Sequence, residues 1–187
     1  LVIARPSIVV GHSEEGCRPS SSIFWVFRMV LMLGKFMCSM EDKIDVIPVD
    51  YCAEALLLLT KRSKLSEKVY HISAGDTGST QFVEIDKAMA AALNQKPIYS
   101  TYQQVDYSEL VKERRGFKTI YGPCNERLML RAMRLYGEFS MLNVRFSNKK
   151  LLDLGMSPPP RFVDYINRCV ETTRDVTIPE LMKVDFK

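Results

Sequence analysis

The 187-residue chain predicts an α/β fold: the C-terminal part of a doubly wound parallel sheet, followed by a mostly helical cap. Three observations predict it. Residues 1–10 form a near-continuous, β-branched apolar run, the pattern of a strand buried on both faces of a parallel sheet. Strand and helix patterns then alternate up to about residue 95, as in a parallel α/β sheet. From residue 96 onward the chain turns charged and methionine-rich, with apolar residues at helical spacing.

The first strand ends at Gly11, and the polar stretch 12–22, with Gly16, Pro19 and four serines, reads as a loop. Its serines are placed to cap a helix over 23–37. Arg28, Gly34 and Lys35 interrupt that apolar run, which falls short of the roughly 20 residues needed to span a bilayer. A buried or pocket-lining helix is expected, and membrane contact is not predicted. Residues 44–49 read as a short strand broken by Pro48, with Asp50 capping a helix over 51–60. A charged connection over 61–68 leads to a strand over 69–74, closed by Gly75 and Gly78. Phe82, Ile85, Met89, Ala92 and Leu93 define a helix within 81–94, and Pro97 follows its end. In the second half, helices are expected within 105–140 and over 146–154 and 162–173, the last two separated by the stiff Pro158–Pro160 run. The expected division is 1–95 and 96–187.

A strand buried on both faces needs neighbours on both sides, so further strands are expected from residues upstream of Leu1. The opening residues form a strand pattern and not a charged segment followed by an apolar run, so no secretory signal is expected. The net charge of +4, from 26 basic and 22 acidic residues, suits an anionic small molecule and is too mild for a nucleic-acid face. Five cysteines, an odd number without a Cys-x-x-Cys pair, predict free thiols and a reducing, cytoplasmic setting. His12 with Glu14 and Glu15 is too compressed for a metal site, and no metal is expected. His71 sits within a strand and is expected in the core.

Three segments in order carry a resemblance. Arg5-Pro6-Ser7-Ile8-Val9-Val10-Gly11-His12-Ser13 resembles the Arg-Pro strand and turn of extended short-chain dehydrogenases/reductases. Asp45-Val46-Ile47-Pro48-Val49-Asp50 resembles the later strand-to-helix junction, in the version found in fatty acyl-CoA reductases and carrier-protein thioester reductases, the male-sterility-type branch. Val69–Gly75 resembles the last strand of the nucleotide-binding domain, and Phe146-Ser147-Asn148 resembles a C-terminal segment of the acyl reductases.

The resemblance implies that 1–95 is the C-terminal part of a Rossmann-like nucleotide-binding domain and 96–187 a substrate-side cap. It implies an NAD(P)H cofactor, NADP or NAD, with Pro6, Ser7 and Ile8 against the nicotinamide. His12, Ser13, Ile47 and Pro48 would line the substrate cavity of an acyl thioester, coenzyme A-linked or carrier-bound. The family's glycine-rich phosphate turn is absent from the nine glycines, and none of the eight tyrosines has lysine four residues later. No catalytic residue is therefore assigned, and the pair that moves protons is expected in an upstream half. A sugar-nucleotide or sterol-type oxidoreductase is a second reading, and a non-catalytic binding lobe a third. Methionines and aromatics over 23–37 and 128–141 are read either as an acyl pocket or as ordinary core. Arg127, Arg131 and Arg134 share one helical face near Arg114 and Arg115; a solvated face is favoured over recognition of coenzyme A phosphates.

Overall fold

The structure, a computed structural model, describes residues 1–17 and 23–185. The serines expected to cap the first helix, Ser20 to Ser22, lie outside the described residues. The first extended segment divides into β1 (Ile3–Pro6) and β2 (Ile8–Val9), each parallel to a different neighbour. β1 runs beside β6 (Val69–Ile72), pairing Pro6 with Ile72, whereas β2 runs beside β5 (Val46–Ile47), pairing Val9 with Ile47. The hydrogen bonds change sides at Ser7, whose N–H donates to Ile72 O at 2.9 Å, before Val10 N–H reaches Ile47 O at 3.0 Å. β1 and β6 thus end level with each other at Pro6 and Ile72, just where β5 begins, and β2 and β5 run on together to Val9 and Ile47.

Two further pairs flank them. β3 (Lys35–Phe36) is parallel to β8 (Gln103–Gln104), and β4 (Lys43–Ile44) is antiparallel to β7 (Thr80–Gln81). The expected α/β class holds at the level of a mixed fold with small parallel sheets; the described strands form four two-stranded pairs. The expectation that the first strand is buried on both faces is corrected. Leu1, Val2 and Ile3 are exposed, as are Arg5 and Pro6, because β1 has β6 on one edge and no described strand on the other.

Helix α1 (Phe24–Leu33) stops earlier than expected, because Gly34 adopts the left-handed conformation (φ 69°) and hands the chain to β3. The helix is buried as expected, with Phe24, Trp25 and Met29 fully covered. Helix α2 (Val49–Lys61) also differs at its start. Pro48 occupies the capping position with extended backbone, and Asp50 falls in the first turn, where its charge faces the positive helix end. After the short turn α3 (Gly75–Gly78), helix α4 (Phe82–Ala92) begins with Gln81 N–H donating to Glu84 at 3.0 Å. Arg161 Nη2 lies 2.7 Å from both Glu84 oxygens, tying α4 to the start of α9 (Phe162–Thr172).

Between them come α5 (Tyr107–Glu113), a 3₁₀ turn, α6 (Phe117–Tyr121), α7 (Glu126–Met141) and α8 (Lys149–Leu152). The helix expected over 146–154 shrinks to α8 because Phe146 and Asn148 bond instead to the end of β6. A last helix, α10 (Ile178–Asp185), was not expected from the sequence. The larger core joins α1, α4, α7 and α9; a smaller one, around Ile47, Tyr51, Tyr70 and Ile72, lies under α2.

Candidate functional site

Parallel strands leave their last backbone groups and the following loops at one edge, where open α/β sheets bind ligands. Here the end of β6 is joined to the start of β5 by Asp45, the residue just before Val46. The carboxylate is 4% exposed and accepts from Ala74 N–H at 2.7 Å and Phe146 N–H at 3.3 Å. Burial pushes this carboxyl above its ordinary value, while Ala74 N–H, the Ser7 hydroxyl beside it and Phe146 N–H pull it back. Ser73 Oγ donates to Phe146 O at 2.9 Å, Asn148 donates to Ser73 O at 3.1 Å, and the Phe146 ring stands edge-on to His71 at 5.0 Å. The distant segment 146–148 is thereby fixed beside the end of β6. Gly75 (φ +71°) permits this approach, since a Cβ there would lie 2.7 Å from Asn148 Oδ1.

A second constellation forms where β2 ends. Residues 12–16 close a turn through His12 N–H to Gly16 O at 2.8 Å, and His12 Nδ1 accepts from Glu14 and Glu15 N–H at 3.2 and 3.3 Å. Ser13 donates from its N–H to Asp50 Oδ1 at 3.0 Å and from its hydroxyl to Oδ2 at 2.6 Å. Partial burial pulls the Asp50 carboxyl upward, but these two bonds outweigh it and the group sits below its ordinary value. Val49 N–H donates to Gly11 O at 2.8 Å, completing the clasp between the turn and α2. Beside this clasp is an open hollow of about 380 Å³, bounded by Ser13, the first turns of α2 and residues 155–160.

The positions singled out in the sequence are distributed as follows. Pro6 is exposed at the end of β1, with Ser7 and Ile8 half-buried after it. His12 and Ser13 lie together on the turn; Ser13 lines the hollow. Ile47 is fully buried in the smaller core and Pro48 is buried at the start of α2. Asp45, Ser73 and Asn148, which join β5, β6 and the segment 146–148, each lie in a segment that carries the resemblance, but the sequence assigns them no role. Asp45 stood within the quoted Asp-Val-Ile-Pro-Val-Asp motif, but its bonds reach residues 74 and 146, beyond any local pattern.

Elsewhere, Phe27, Phe36, Phe82 and Met89 enclose an apolar cavity of about 30 Å³ between α1 and α4. Arg127, Arg131 and Arg134 are exposed on α7, and Arg134 Nε bonds to Glu138 at 2.7 Å, in keeping with a solvated face. Arg114 pairs with Glu126 at 3.0 Å. All five cysteines are free thiols. Among the described residues no helix is long and apolar enough to cross a membrane.

With the strand ends described, the chain can be set beside known proteins. Residues 1–56 match the NAD-binding family described as Male sterility protein, which bears out the motif resemblance to that branch of the extended short-chain dehydrogenases/reductases. A curated relative, the non-canonical nonribosomal peptide synthetase FrzA of Cladobotryum sp, is 27% identical over 113 residues, 60% of this chain and 11% of that protein. Among solved structures, the terminal R domain of the myxalamid PKS-NRPS biosynthetic pathway superposes with a TM-score of 0.59 at 18% identity, over 92% of this chain and 43% of its own. The PhqB reductase domain from Penicillium fellutanum gives 0.55 at 14% identity, over 100% of this chain and 48% of its own. A thiolation-reductase di-domain from an archaeal nonribosomal peptide synthetase gives 0.53 at 19%, over 92% and 35%. These superpositions show a shared fold. The chain spans about a tenth of the curated relative and less than half of each of these structures.

Proposed function

We propose that this chain is the C-terminal portion of an NAD(P)H-dependent reductase acting on a carrier-bound or coenzyme A-linked acyl thioester. Residues 1–95 would complete the nucleotide-binding domain and 96–187 the substrate side. The observation that carries the reading is that β2, the continuation of the Arg-Pro strand, runs parallel and side by side with the strand that opens into the Ile-Pro-Val-Asp junction, distant in sequence. The relatives are named as reductase domains or as a peptide synthetase, which supports a thioester bound to a carrier.

The residues at this edge fit a nicotinamide ring better than a phosphate. Pro6 has no N–H, and the Ser7 N–H is already committed to Ile72 O at 2.9 Å, so neither backbone position offers a free donor. Pro6, Ser7 and Ile8 would hold the ring, which when bound supplies the hydride. Asp45 keeps the wall in register by fixing Ala74 and Phe146. His12 and Ser13 on their clasped turn, with Ile47 and Pro48 supporting it from beneath, would position the substrate carbonyl. The phosphate-binding turn and the proton-donating Tyr/Lys pair are assigned to residues outside this chain.

The test is the intact mass of the protein in its source cell, followed by assay of that full-length protein with octanoyl-S-pantetheine and NADPH or NADH. A mass near twice 21.4 kDa or more, with aldehyde or alcohol formed as the nicotinamide absorbance falls, is the expected result. A full-length protein that leaves both the thioester and the cofactor unchanged overturns the reading.

A further inference from the structure

Beneath the turn that carries His12 and Ser13, two thiols from distant parts of the chain meet. Cys17 follows the turn and Cys169 lies on α9; they are 2% and 0% exposed, and their thiols are hydrogen-bonded to each other. Gly11 sits over both sulfurs, since a Cβ there would lie 2.6 Å from Cys169 Sγ and 3.2 Å from Cys17 Sγ. Neither thiol has a part in the proposed reductase chemistry.

The backbone holds this juxtaposition in place. Cys17 N–H donates to Thr172 Oγ1 at 3.0 Å, and Thr172 stands three residues after Cys169, on the same face of α9. Gly16 rests against that face so closely that a Cβ would lie 2.5 Å from both Arg168 O and Thr172 Oγ1. The turn's own closing bonds, His12 N–H to Gly16 O at 2.8 Å and Gly16 N–H to His12 O at 3.1 Å, fix where Cys17 leaves it. A single buried cysteine behaves as a small hydrophobe, but two with their sulfurs in contact are also placed to be joined. The hydrogen bond to Cys169, together with burial, pushes the Cys17 thiol up, so at neutral pH it stays protonated and unreactive. The pair is therefore reduced at rest, and its reaction waits on local opening of the turn, which is exposed at Glu14 and Glu15.

We propose that Cys17 and Cys169 form a modification site: a reversible disulfide, made by hydrogen peroxide, that fastens the turn over residues 12–16 to α9. One sulfur attacks the peroxide, the O–O bond breaks, and a sulfenic acid and water result. The second thiol then attacks that sulfur. The S–S bond forms as the S–O bond breaks, and the thiol proton leaves with the hydroxyl as a second water. The two thiols lose two electrons, which the peroxide gains. Exchange with a small dithiol, itself oxidised to a cyclic disulfide, restores the pair. The chemistry does not rest on the reductase reading; under that reading it holds still the turn that positions the substrate carbonyl.

The test treats reduced full-length protein with hydrogen peroxide, unfolds it in iodoacetamide and maps its peptides by mass. A cross-linked pair joining Cys17 to Cys169 should dominate over any pair with Cys38, Cys52 or Cys124, and dithiothreitol should abolish it. Amide exchange at Gly16 and Cys17 should slow at least tenfold in the oxidised protein. Cys169→Ala, with circular dichroism unchanged, should remove both the product and the slowing. The proposal is overturned if Cys17 and Cys169 stay alkylatable while the half-buried Cys124 is oxidised, or if either accumulates as sulfinic acid in place of the bond. Exchange that is unaltered by oxidation, or slowing that survives Cys169→Ala, overturns it equally. None of these readouts depends on thioester reduction, so this proposal and the reductase reading fail separately.

Discussion

Asp45 and Asp50 flank β5 within one six-residue motif, yet their environments drive them in opposite directions. Asp50 is held below its ordinary value of 3.8 by Ser13, so the stability it contributes is present above that value and is lost as pH falls through its lowered folded value. Asp50→Asn is expected to cost about 1.5–3 kcal/mol at pH 7, the range for hydrogen bonds to a charged group, and less below pH 3.8. Asp45 is raised by burial, so the protein is most stable with it protonated, and that advantage falls away as pH rises through its raised folded value. Asp45→Asn should therefore show its largest deficit near pH 4 and its smallest at pH 7. Urea titrations of both variants at three pH values would reveal the opposite trends; parallel trends would contradict the assigned environments.

At the scale of elements, the decisive contacts are those that hold separate segments together. Gly75→Ala places a methyl 2.7 Å from Asn148 Oδ1 at a backbone φ of +71°. It should cost at least about 1–2 kcal/mol, the penalty of the left-handed region alone, and loosen 146–148 from β6. Faster amide exchange at Ala74 and Phe146 would register the loosening. Phe27 on α1 packs against Phe82 at 6.0 Å and Phe162 at 5.7 Å, joining α1, α4 and α9. Phe27→Ala should enlarge the adjacent cavity and cost about 3–5 kcal/mol, read as a lower denaturation midpoint.

Over the whole molecule, exposed apolar side chains gather at β1, on the outer face of α2, and along the second half of α7 and just past its end. Leu1 is fully exposed and Ile3 is 43% exposed, while Val49, Leu56 and Leu57 recur at helical spacing along α2 with 43–55% exposure. An open edge strand and an uncovered apolar stripe both favour association. The 187-residue chain by itself is expected to self-associate with rising concentration in light scattering, and Leu56→Lys with Leu57→Glu should reduce it. Concentration-independent monomeric scattering from the unaltered chain would show that these surfaces do not adhere.

The sequence by itself determined much of the element order, because periodicity and turn residues act locally. The strand over 69–72 and the helix over 82–92 belong to that class of information. The motifs also located Ser13 and Asp50, although not that they bond to each other across 37 residues. Asp50 was read as a cap because its residue type suits that role; its carboxylate is instead turned toward Ser13, a choice made by the packing of the turn on α2. The exposure of β1 was hidden for a similar reason: an apolar pattern states what a strand would bury, not whether a neighbour is there to bury it. Asp45 was legible as part of a motif, while its partners Ala74 and Phe146, 29 and 101 residues away, belong to the tertiary structure alone. Hydrogen bonds that close such distances depend on where strands end in space, and that is decided only when the sheet and the cap are folded together.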